Sequence, residues 1–256
     1  MVTAKEYVRF ERQIELCGIG SEGQTRIFQS KILLVGAGGL GCPVSAYLVA
    51  AGVGQLTVMD DDLISVSNLQ RQILYDTDQI KRSKVLSLKD RLEKLNPECK
   101  ISAIEKRLND DNAREFVKNH DIVIDGSDNF KTRYLLNEVC YQEKKPLISG
   151  AILQYDGQVY VFHASEKDNP CYRCLYPEEP TAFQVPSCTE NAILGPVAGV
   201  IGTMMATETL KTITNVGSNL YQTVLLYSAL DSTFRKVKYT KKANCQTCGA
   251  KVDLQY

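Results

Sequence analysis

The sequence contains no tryptophan and only two histidines, His120 and His163. Chemistry that relies on histidine as a base or a metal ligand therefore has few candidate residues. The chain also lacks an excess of either charge, because 30 lysines and arginines balance 30 aspartates and glutamates. This balance argues against binding to nucleic acid through bulk positive charge, so we expect no nucleic-acid partner.

Long apolar runs are also missing. The most apolar segment, residues 192–206, is interrupted by glycines and a proline and is shorter than the roughly 20 residues that cross a bilayer. The N-terminal segment is charged and has no apolar region typical of a signal peptide. We therefore expect a cytoplasmic protein with no membrane partner. Its nine cysteines indicate reduced thiols, metal ligands or a catalytic thiol rather than a disulfide framework.

The first 150 residues alternate between strand-like and helix-like segments, which predicts βαβ units and a mainly parallel sheet. The predicted strands are residues 31–35, 55–60, 100–106, 121–125 and 146–150, and the predicted helices are residues 40–51, 83–95, 111–119 and 130–143. A ligand of such a sheet is expected at the C-terminal ends of its strands.

The pattern changes after residue 150. Residues 151–164 predict a hairpin that turns at Tyr155, Asp156 and Gly157, and an apolar helix is predicted over residues 191–213. Two further strand-like runs, residues 222–227 and 233–239, suggest antiparallel additions to the sheet.

A glycine-rich loop follows the first predicted strand, in the sequence LLVGAGGLGCP. Gly36, Gly38 and Gly41 have the spacing G-x-G-x-x-G, typical of a turn and helix start whose backbone N–H groups bind phosphate. Asp60 follows about 20 residues later at the end of the next strand, where it can bind a ribose hydroxyl. A nicotinamide dinucleotide and ATP both carry these groups, so the loop alone leaves the nucleotide open.

The segment that follows favours ATP. DDDLISVSNLQRQ carries Asp60, Asp62, Asn68, Arg71 and Gln72, and Lys84 begins the next long helix. An arginine and a lysine near the glycine turn would stabilise charge on a leaving pyrophosphate, which hydride transfer does not need. A carboxylate after the fourth strand, Asp128, is a candidate magnesium ligand beside a triphosphate.

The segments GAGGLG, VMDDDLISVSNLQRQ, SKV and DGSDNF resemble the ThiF/MoeB/HesA family, bacterial relatives of ubiquitin-activating enzymes. The segment GPVAGVIGT, which follows Cys188, and the short loop before it are slightly more similar to ThiF. The resemblance runs from the N-terminal ERQ to the C-terminal cysteine pair. It implies a doubly wound, Rossmann-like α/β fold with antiparallel C-terminal additions and a zinc knuckle of four cysteines. We expect one domain over residues 1–256, with a nucleotide-binding core (1–150) and a zinc-bearing, carrier-binding part (151–256).

The resemblance also implies an activity. Family members use ATP and Mg²⁺ to adenylate the C-terminal glycine carboxylate of a small ubiquitin-like sulfur carrier protein that ends in Gly-Gly, and release pyrophosphate. The carrier would be ThiS-like or MoaD-like, for thiamine or molybdopterin biosynthesis, the enzyme a homodimer, and the sulfur donor a separate protein. A carboxylate is already ionised at neutral pH, so the reaction needs no general base and no histidine.

Site residues carry over onto the matching positions of this sequence. The resemblance implies that Arg71 and Lys84 contact phosphates as catalytic residues and that Asp128 binds magnesium. Arg12, in FERQI, resembles an arginine that reaches the triphosphate across the dimer. The full implied nucleotide site is Gly36, Gly38, Gly39, Gly41, Asp60, Asp62, Ser67, Asn68, Leu69, Gln70, Arg71, Gln72, Lys84, Asp128 and Asn129.

The cysteines divide into three groups. Two C-x-x-C pairs, Cys171 with Cys174 and Cys245 with Cys248, have the spacing of a closed, structural zinc site made of four cysteines. Cys188 precedes the apolar helix, whose dipole would lower the thiol pKa. It resembles a ThiF-type cysteine that attacks the acyl-adenylate, although a loop thiol without a chemical role is the alternative. The remaining cysteines are predicted to be small buried hydrophobes, namely Cys17, Cys42, Cys99 and Cys140.

Two other functions stay open at this point. The glycine loop and Asp60 also suit an NAD-dependent oxidoreductase, but that interpretation leaves Arg71, Lys84 and the paired cysteines without a role. A relative that adenylates a non-protein acceptor such as tRNA is the other alternative, and the neutral charge balance weighs against it.

Overall fold

A computed structural model describes residues 2–166, 168–179 and 192–249. Its strands are β1 (Lys31–Val35), β2 (Gln55–Met59), β3 (Lys100–Ile104), β4 (Ile122–Asp125), β5 (Leu147–Leu153), β6 (Asp156–Phe162), β7 (Thr223–Ser228) and β8 (Thr233–Lys238). Its helices are α1 (Ala4–Ile14), α2 (Gly20–Gln29), α3 (Gly41–Ala51), α4 (Lys84–Leu95), α5 (Ala113–Lys118), α6 (Phe130–Gln142), α7 (Tyr172–Leu175) and α8 (Gly195–Thr214).

The strands form one eight-stranded sheet in the order β3-β2-β1-β4-β5-β6-β7-β8. The pairs from β3 to β5 are parallel, and those from β5 to β8 are antiparallel. From β1 the chain adds β2 and β3 on one side, and it then returns to add β4 on the other side of β1. The point between β1 and β4, where the strand order reverses, is the switch point of a doubly wound fold. The predicted fold class, a mainly parallel sheet with antiparallel additions at its C-terminal side, is confirmed.

The sheet is covered by helices on both faces, and β1 shows why. Ile32 and Leu34 belong to one apolar cluster with residues of α3, α4 and α8, whereas Leu33 belongs to a second cluster with residues of α5 and α6. All three side chains are completely buried. Because successive strand residues point to opposite faces, a continuous apolar run is what a strand between two helical layers requires.

The predicted hairpin is wrong in its boundaries. β5 is one continuous strand, paired in parallel with β4 at its start and antiparallel with β6 along its full length. The chain turns at residues 154 and 155, and Gly157 lies inside β6. This glycine serves packing, because a Cβ there would lie only 2.2 Å from Cγ1 of Ile201 in α8.

The N-terminal helices were not predicted, although a signal for α1 was present. Thr3 caps α1: its hydroxyl accepts a hydrogen bond from the Glu6 N–H at 3.3 Å, and the Glu6 carboxylate accepts one from the Thr3 N–H at 2.7 Å. The T-x-x-E spacing is the sequence pattern of this capping box. The ends of most other elements differ from prediction by one or two residues, and the predicted start of the apolar helix at 191 lies outside the described residues.

Helix α8 lies against α3 and the sheet because glycines remove the intervening side chains. A Cβ at Gly202 would lie 2.4 Å from Cγ of Pro43 in α3 and 2.8 Å from the Leu40 carbonyl oxygen, while Gly199 has no atom within 4 Å of that position. The small residues at these close approaches therefore support packing within one subunit. In the parts of the chain that the structure describes, no helix is both long and apolar enough to cross a membrane.

Gly202→Ala should destabilise the protein, because its methyl group must push α8 away from α3. We expect the free energy of unfolding to fall by about 1–3 kcal/mol, the usual cost of overpacking. Gly199→Ala on the same helix is the matched control, and better helix propensity should leave its stability unchanged or raise it by up to about 1 kcal/mol. Urea denaturation of both variants checks this, and equal stabilities would contradict the packing argument.

Candidate functional site

Three loops emerge side by side at the C-terminal ends of the central strands. Val35, the last residue of β1, is in register with Met59 of β2 on one side and with Asp125 of β4 on the other. The glycine-rich loop after β1 therefore lies between Asp60, which follows β2, and the segment beginning at Gly126, which follows β4. The fold thus brings the three predicted segments to one edge of the sheet.

The glycine-rich loop is defined by close backbone approaches. Gly36 has a φ of 98°, and a Cβ there would lie 2.6 Å from the Gly126 carbonyl oxygen. At Gly41 a Cβ would lie 2.1 Å from the Gly36 carbonyl oxygen. Any side chain at either position would force the loop away from β4 or from the start of α3.

The two middle glycines face the segment predicted to bind phosphate. A Cβ on Gly38 would lie 3.5 Å from Nε2 of Gln72, and one on Gly39 would lie 3.4 Å from Cγ of Arg71 and 3.3 Å from Cβ of Ala198 in α8. Arg71 and Gln72 are therefore neighbours of the loop, as the sequence predicted. Helix α8 also reaches this loop, a contact that sequence reasoning missed.

Asp60 holds the glycine-rich loop by accepting a hydrogen bond from its backbone. One carboxylate oxygen accepts the Ala37 N–H at 2.7 Å, and the other accepts the Asp62 N–H at 2.8 Å. Burial raises the pKa of this carboxyl group, and the nearby Lys84 ammonium opposes the shift. Each oxygen retains further acceptor capacity, so Asp60 can hold the loop and still accept a hydrogen bond from a ribose hydroxyl.

Lys84 is a buried cation beside this carboxylate. It begins α4, which Ser83 caps, and its side chain is only 6% exposed. The ammonium Nζ lies 2.6 Å from a carboxylate oxygen of Asp62, whose own side chain is 66% exposed. The ion pair holds the ammonium group at the edge of the sheet. Because the Asp62 side chain is exposed, another anion can replace it beside the ammonium group.

The segment between Asp62 and Lys84 folds as a turn over the loop. Val66–Asn68 forms a 3-10 turn, the Asn68 side chain accepts the Ser65 N–H at 3.3 Å, and Arg71 Nη1 donates to the Ser67 carbonyl oxygen at 3.0 Å. Gln72 is buried, yet its Oε1 atom has no hydrogen-bond partner among the described residues. The structure thus brings polar side chains of this turn against the glycine loop.

The remaining predicted members of the turn have structural contacts. Leu69 packs against the main apolar cluster, and the Gln70 carbonyl oxygen lies 2.4 Å from where a Cβ on Gly195 of α8 would be. Ser67 is exposed, and its carbonyl anchors Arg71. For Leu69 and Gln70, the visible role is to dock the turn onto the core and α8.

A buried polar network after β4 was missed by sequence reasoning. Asp125 is completely buried and accepts hydrogen bonds from the Ser127 hydroxyl at 2.6 Å and the Ser149 hydroxyl at 2.7 Å. Arg133 lies 3.7 Å from it through Nε and donates to the carbonyl oxygens of Ser127 and Gly150. Only the tertiary fold places these groups together, although a polar residue within each of two adjacent apolar strands, Asp125 in β4 and Ser149 in β5, was a usable signal.

This network holds the loop that carries Asp128 and Asn129. Asn129 caps α6 by accepting the Thr132 N–H at 2.9 Å, which is the structural role that a polar residue before a helix often has. Asp128 is exposed, and among the described lysines and arginines none forms an ion pair with it. An exposed carboxylate on a rigid loop fits a magnesium ligand that shares the ion with phosphates.

Arg12 is exposed on α1, and no hydrogen bond or ion pair within the described residues joins it to this sheet edge. Its neighbour Gln13 lines a groove of about 460 Å³ together with Tyr47 of α3 and Leu210 of α8. The single chain therefore does not bring Arg12 into the site.

The two C-x-x-C pairs meet although they lie far apart in sequence. Sγ of Cys171 is 3.5 Å from that of Cys245, and Sγ of Cys174 is 3.3 Å from that of Cys248. All four sulfurs lie within 4.8 Å of one another. Four Zn–S bonds of about 2.3 Å in a tetrahedron would place the sulfurs about 3.8 Å apart, so the donor set fits zinc.

Three of the four cysteines that were predicted to be buried are buried. Cys42, Cys99 and Cys140 are buried, but Cys17 is exposed because it lies in the turn between α1 and α2. The prediction of burial for Cys17 was therefore wrong. Cys188 lies outside the described residues, and its role stays a prediction.

The fold and this sheet edge define the class: a doubly wound α/β protein with a loop suited to phosphate at its switch point and a four-cysteine cluster near its C-terminus. The family follows from comparison with known proteins. The ThiF family model matches residues 10–249. The chain belongs to the ThiF family, and the resemblance seen in the sequence is confirmed.

Two curated relatives cover nearly the whole chain. It is 45% identical over 250 residues to a sulfur carrier protein adenylyltransferase of Thermus thermophilus, covering 96% of this chain and 92% of that protein. It is 42% identical over 246 residues to a SAMP-activating enzyme E1 of Haloferax volcanii, covering 96% and 90%. Among solved structures, E. coli MccB matches with a TM-score of 0.83 at 22% identity, over 96% of this chain and 74% of that one. That last likeness supports the fold alone.

Proposed function

We propose that this protein is an adenylyltransferase that uses ATP to activate the C-terminal carboxylate of a ubiquitin-like sulfur carrier protein. The observation that carries the proposal is a pair of cations at the sheet edge that holds the glycine-rich loop. Arg71 packs beside Gly39, and the buried Lys84 ammonium is paired with Asp62, close to the Asp60 carboxylate that binds the loop. A nicotinamide site needs no such pair of cations, whereas a leaving pyrophosphate does.

Each group at this edge has a task in binding ATP. Asp60 receives the ribose, the N–H groups of the glycine loop face the phosphates, and Asn68, Arg71 and Lys84 contact them. Asp128 would hold Mg²⁺, which when bound would neutralise phosphate charge. Family membership supports ATP as the nucleotide, and the unpartnered Oε1 of Gln72 beside Gly38 is a further polar group available to the ligand.

The reaction needs positioning and charge stabilisation. A carboxylate oxygen of the carrier attacks the α-phosphorus, the bond to the bridging oxygen breaks, and pyrophosphate leaves with that oxygen's electron pair. Arg71 and Lys84 stabilise the developing charge. His120 takes no part, because it precedes β4 at the opposite edge of the sheet and hydrogen-bonds to Thr57 and Phe116.

The acceptor is a protein in this proposal. The relatives named as a sulfur carrier protein adenylyltransferase and a SAMP-activating enzyme E1 support a small carrier protein, and residues 151–256 are the expected carrier-binding part. We propose a carrier of the thiamine or molybdopterin type, a separate sulfur donor and a cytoplasmic setting. Cys188 would attack the acyl carbon of the adenylate through its thiolate, with AMP leaving.

ATP–pyrophosphate exchange tests the proposal directly. Purified protein, Mg²⁺ and a carrier ending in Gly-Gly should exchange labelled pyrophosphate into ATP, and the same carrier without its last glycine is the control. Exchange that requires the intact carrier supports the proposal. ATP binding without exchange on any carrier, or tight NADH binding in place of ATP, would overturn it, and tRNA would be the next acceptor to test.

Substitution of the two cations should remove activity without unfolding the protein. Arg71→Ala and Lys84→Met should each lower kcat/KM for exchange by about a hundredfold or more, the usual loss when a donor to developing charge is removed. Lys89→Met is the matched control, since Lys89 is on the same helix but pairs with Glu93. Activity within threefold of the unmodified protein in either test variant would refute the phosphate assignment.

We further propose a homodimer in which Arg12 serves the partner's site. Arg12 is exposed on α1, and the adjacent groove of Gln13, Tyr47 and Leu210 leaves Tyr47 58% exposed. A second copy of the chain seated over this groove would bury the groove, and Arg12 would then lie near the nucleotide bound by that second copy. An arginine supplied in this way adds positive charge that the single chain does not bring to the site.

Coexpression of Arg12→Ala and Lys84→Met chains tests this arrangement. By random pairing about half of the dimers contain one chain of each variant. Each mixed dimer has one site with both Lys84 and Arg12 and one site that lacks both. About one quarter of the unmodified activity should therefore return. Each variant expressed alone gives the baseline. Activity no higher than that baseline would mean that Arg12 does not act across subunits.

We propose that the four cysteines bind a structural zinc ion. The thiolate set is closed and leaves no position for substrate. The Lys242 N–H donates to Sγ of Cys174 at 3.4 Å, an interaction that stabilises a thiolate ligand. The ion would join α7, which carries Cys174, to the C-terminal segment after β8.

Zinc removal should destabilise the protein, because the segment after β8 would lose its anchor. Metal analysis should find about one zinc per chain, and Cys245→Ser should lose the metal and lower the melting temperature. Cys17→Ser is the matched control, because that thiol is exposed and outside the cluster. Equal melting temperatures for Cys245→Ser, Cys17→Ser and the unmodified protein would contradict a structural metal.

A further inference from the structure

Tyr75 lies beneath the glycine-rich loop and contacts it through its hydroxyl group. The Tyr75 hydroxyl donates to the Ala37 carbonyl oxygen at 2.6 Å, and Sγ of Cys42 approaches the same oxygen at 3.9 Å. The Ala37 N–H is held in turn by Asp60 at 2.7 Å. Both polar groups of Ala37 are therefore bound to the protein.

The donor side chains are themselves fixed. Tyr75 is 5% exposed and is part of the main apolar cluster, and Cys42 is completely buried at the start of α3. Burial raises the pKa of the Tyr75 phenol, and it raises the pKa of the Cys42 thiol to about 12. Both groups keep their protons at neutral pH and remain donors.

The hydrogen bond to Ala37 sets the direction of the next N–H group. The Ala37 carbonyl and the Gly38 N–H belong to one planar trans peptide, so they point in opposite directions. Because the carbonyl is held toward the buried Tyr75, the Gly38 N–H points away from it, and Gly38 itself is partly exposed. In the described structure no acceptor is bonded to the N–H of Gly38 or Gly39.

Fixing the orientation of the Ala37–Gly38 peptide matters because the loop is glycine-rich. A peptide beside glycine rotates easily, since no Cβ restricts its φ and ψ angles. A flipped Ala37–Gly38 peptide would turn a carbonyl oxygen toward the phosphates and would repel them. A loop that binds an anion through its N–H groups therefore gains from a donor that holds the carbonyl on the far side.

We propose that Tyr75 is a positioning residue for the nucleotide phosphates: its hydroxyl holds the Ala37–Gly38 peptide with the N–H facing the ligand. The inference rests on the proposed function for its ligand, and on the structure for the geometry. Tyr75 touches neither ATP nor the carrier and acts only through the loop. A buried tyrosine that merely completes the core would support stability without affecting phosphate binding.

Tyr75→Phe tests the proposal, because it removes the hydroxyl and keeps the ring in the core. Calorimetry without carrier should show a Kd for ATP about fivefold higher, which corresponds to one neutral hydrogen bond. The Kd for adenosine, which lacks phosphates, should change less than twofold. Hydrogen exchange of the nucleotide-free protein should become faster in residues 36–41 and stay unchanged in β4 and β5.

Tyr134→Phe is the matched control. Tyr134 is equally buried, and its hydroxyl also donates to backbone carbonyls, those of Tyr176 and Glu178, at 2.9 and 2.7 Å. It should leave both the Kd for ATP and exchange in the loop unchanged. An equal effect of both variants would mean that any lost tyrosine hydroxyl has this consequence and would overturn the proposal.

The outcomes distinguish a failure of the proposed function from a failure of the positioning role of Tyr75. Failure of the unmodified protein to bind ATP would overturn the proposed function, while hydrogen exchange in the loop would still test the role of Tyr75. Normal ATP binding and unchanged exchange in Tyr75→Phe would overturn the positioning role alone. Faster exchange throughout the sheet, or an equal loss of affinity for adenosine, would also overturn it, because Tyr75 would then support the core in general.

Discussion

The parallel pairing of β1 with both β2 and β4 is the constraint on which the site depends. It places the ends of three strands at one level, so Gly36 packs against the backbone of Gly126 at a distance that only glycine permits. A carboxylate follows or ends each flanking strand, and each one accepts hydrogen bonds from the adjoining loop: Asp60 on one side and Asp125 on the other. These hydrogen bonds tie the loops on both sides of β1 to the ends of the strands.

The C-terminal half of the chain packs against the glycine-rich loop through α8. Gly202 allows this helix to contact the start of α3, Ala198 lies against Gly39, and Gly195 lies against the Gln70 carbonyl. The segment that precedes α8 carries Cys188 and lies outside the described residues. The position of this helix is therefore fixed by three close approaches, to α3, to the glycine-rich loop and to the turn that carries Gln70.

Both cations of the site are held by protein partners before any ligand binds. The buried Lys84 ammonium is paired with Asp62, and Arg71 is tied to the Ser67 carbonyl. A triphosphate that replaced these partners would meet cations already in place, which lowers the cost of reorganisation during reaction. The same logic extends to Tyr75, whose hydroxyl orients a neutral peptide rather than a charge.

The sequence by itself determined the fold class, the family and which segments meet at one edge of the sheet, because apolar alternation, glycine spacing and the SNLQRQ segment are local patterns. It also identified the four cysteines, since their spacing within each pair is local. Only the tertiary structure decided what depends on distant contacts: the continuous β5, the Asp125 network, the approach of α8 to Gly39, and the packing role of Gly157. The predicted boundaries of the hairpin were wrong for this reason, because a glycine that admits Ile201 looks identical in sequence to a glycine that makes a turn.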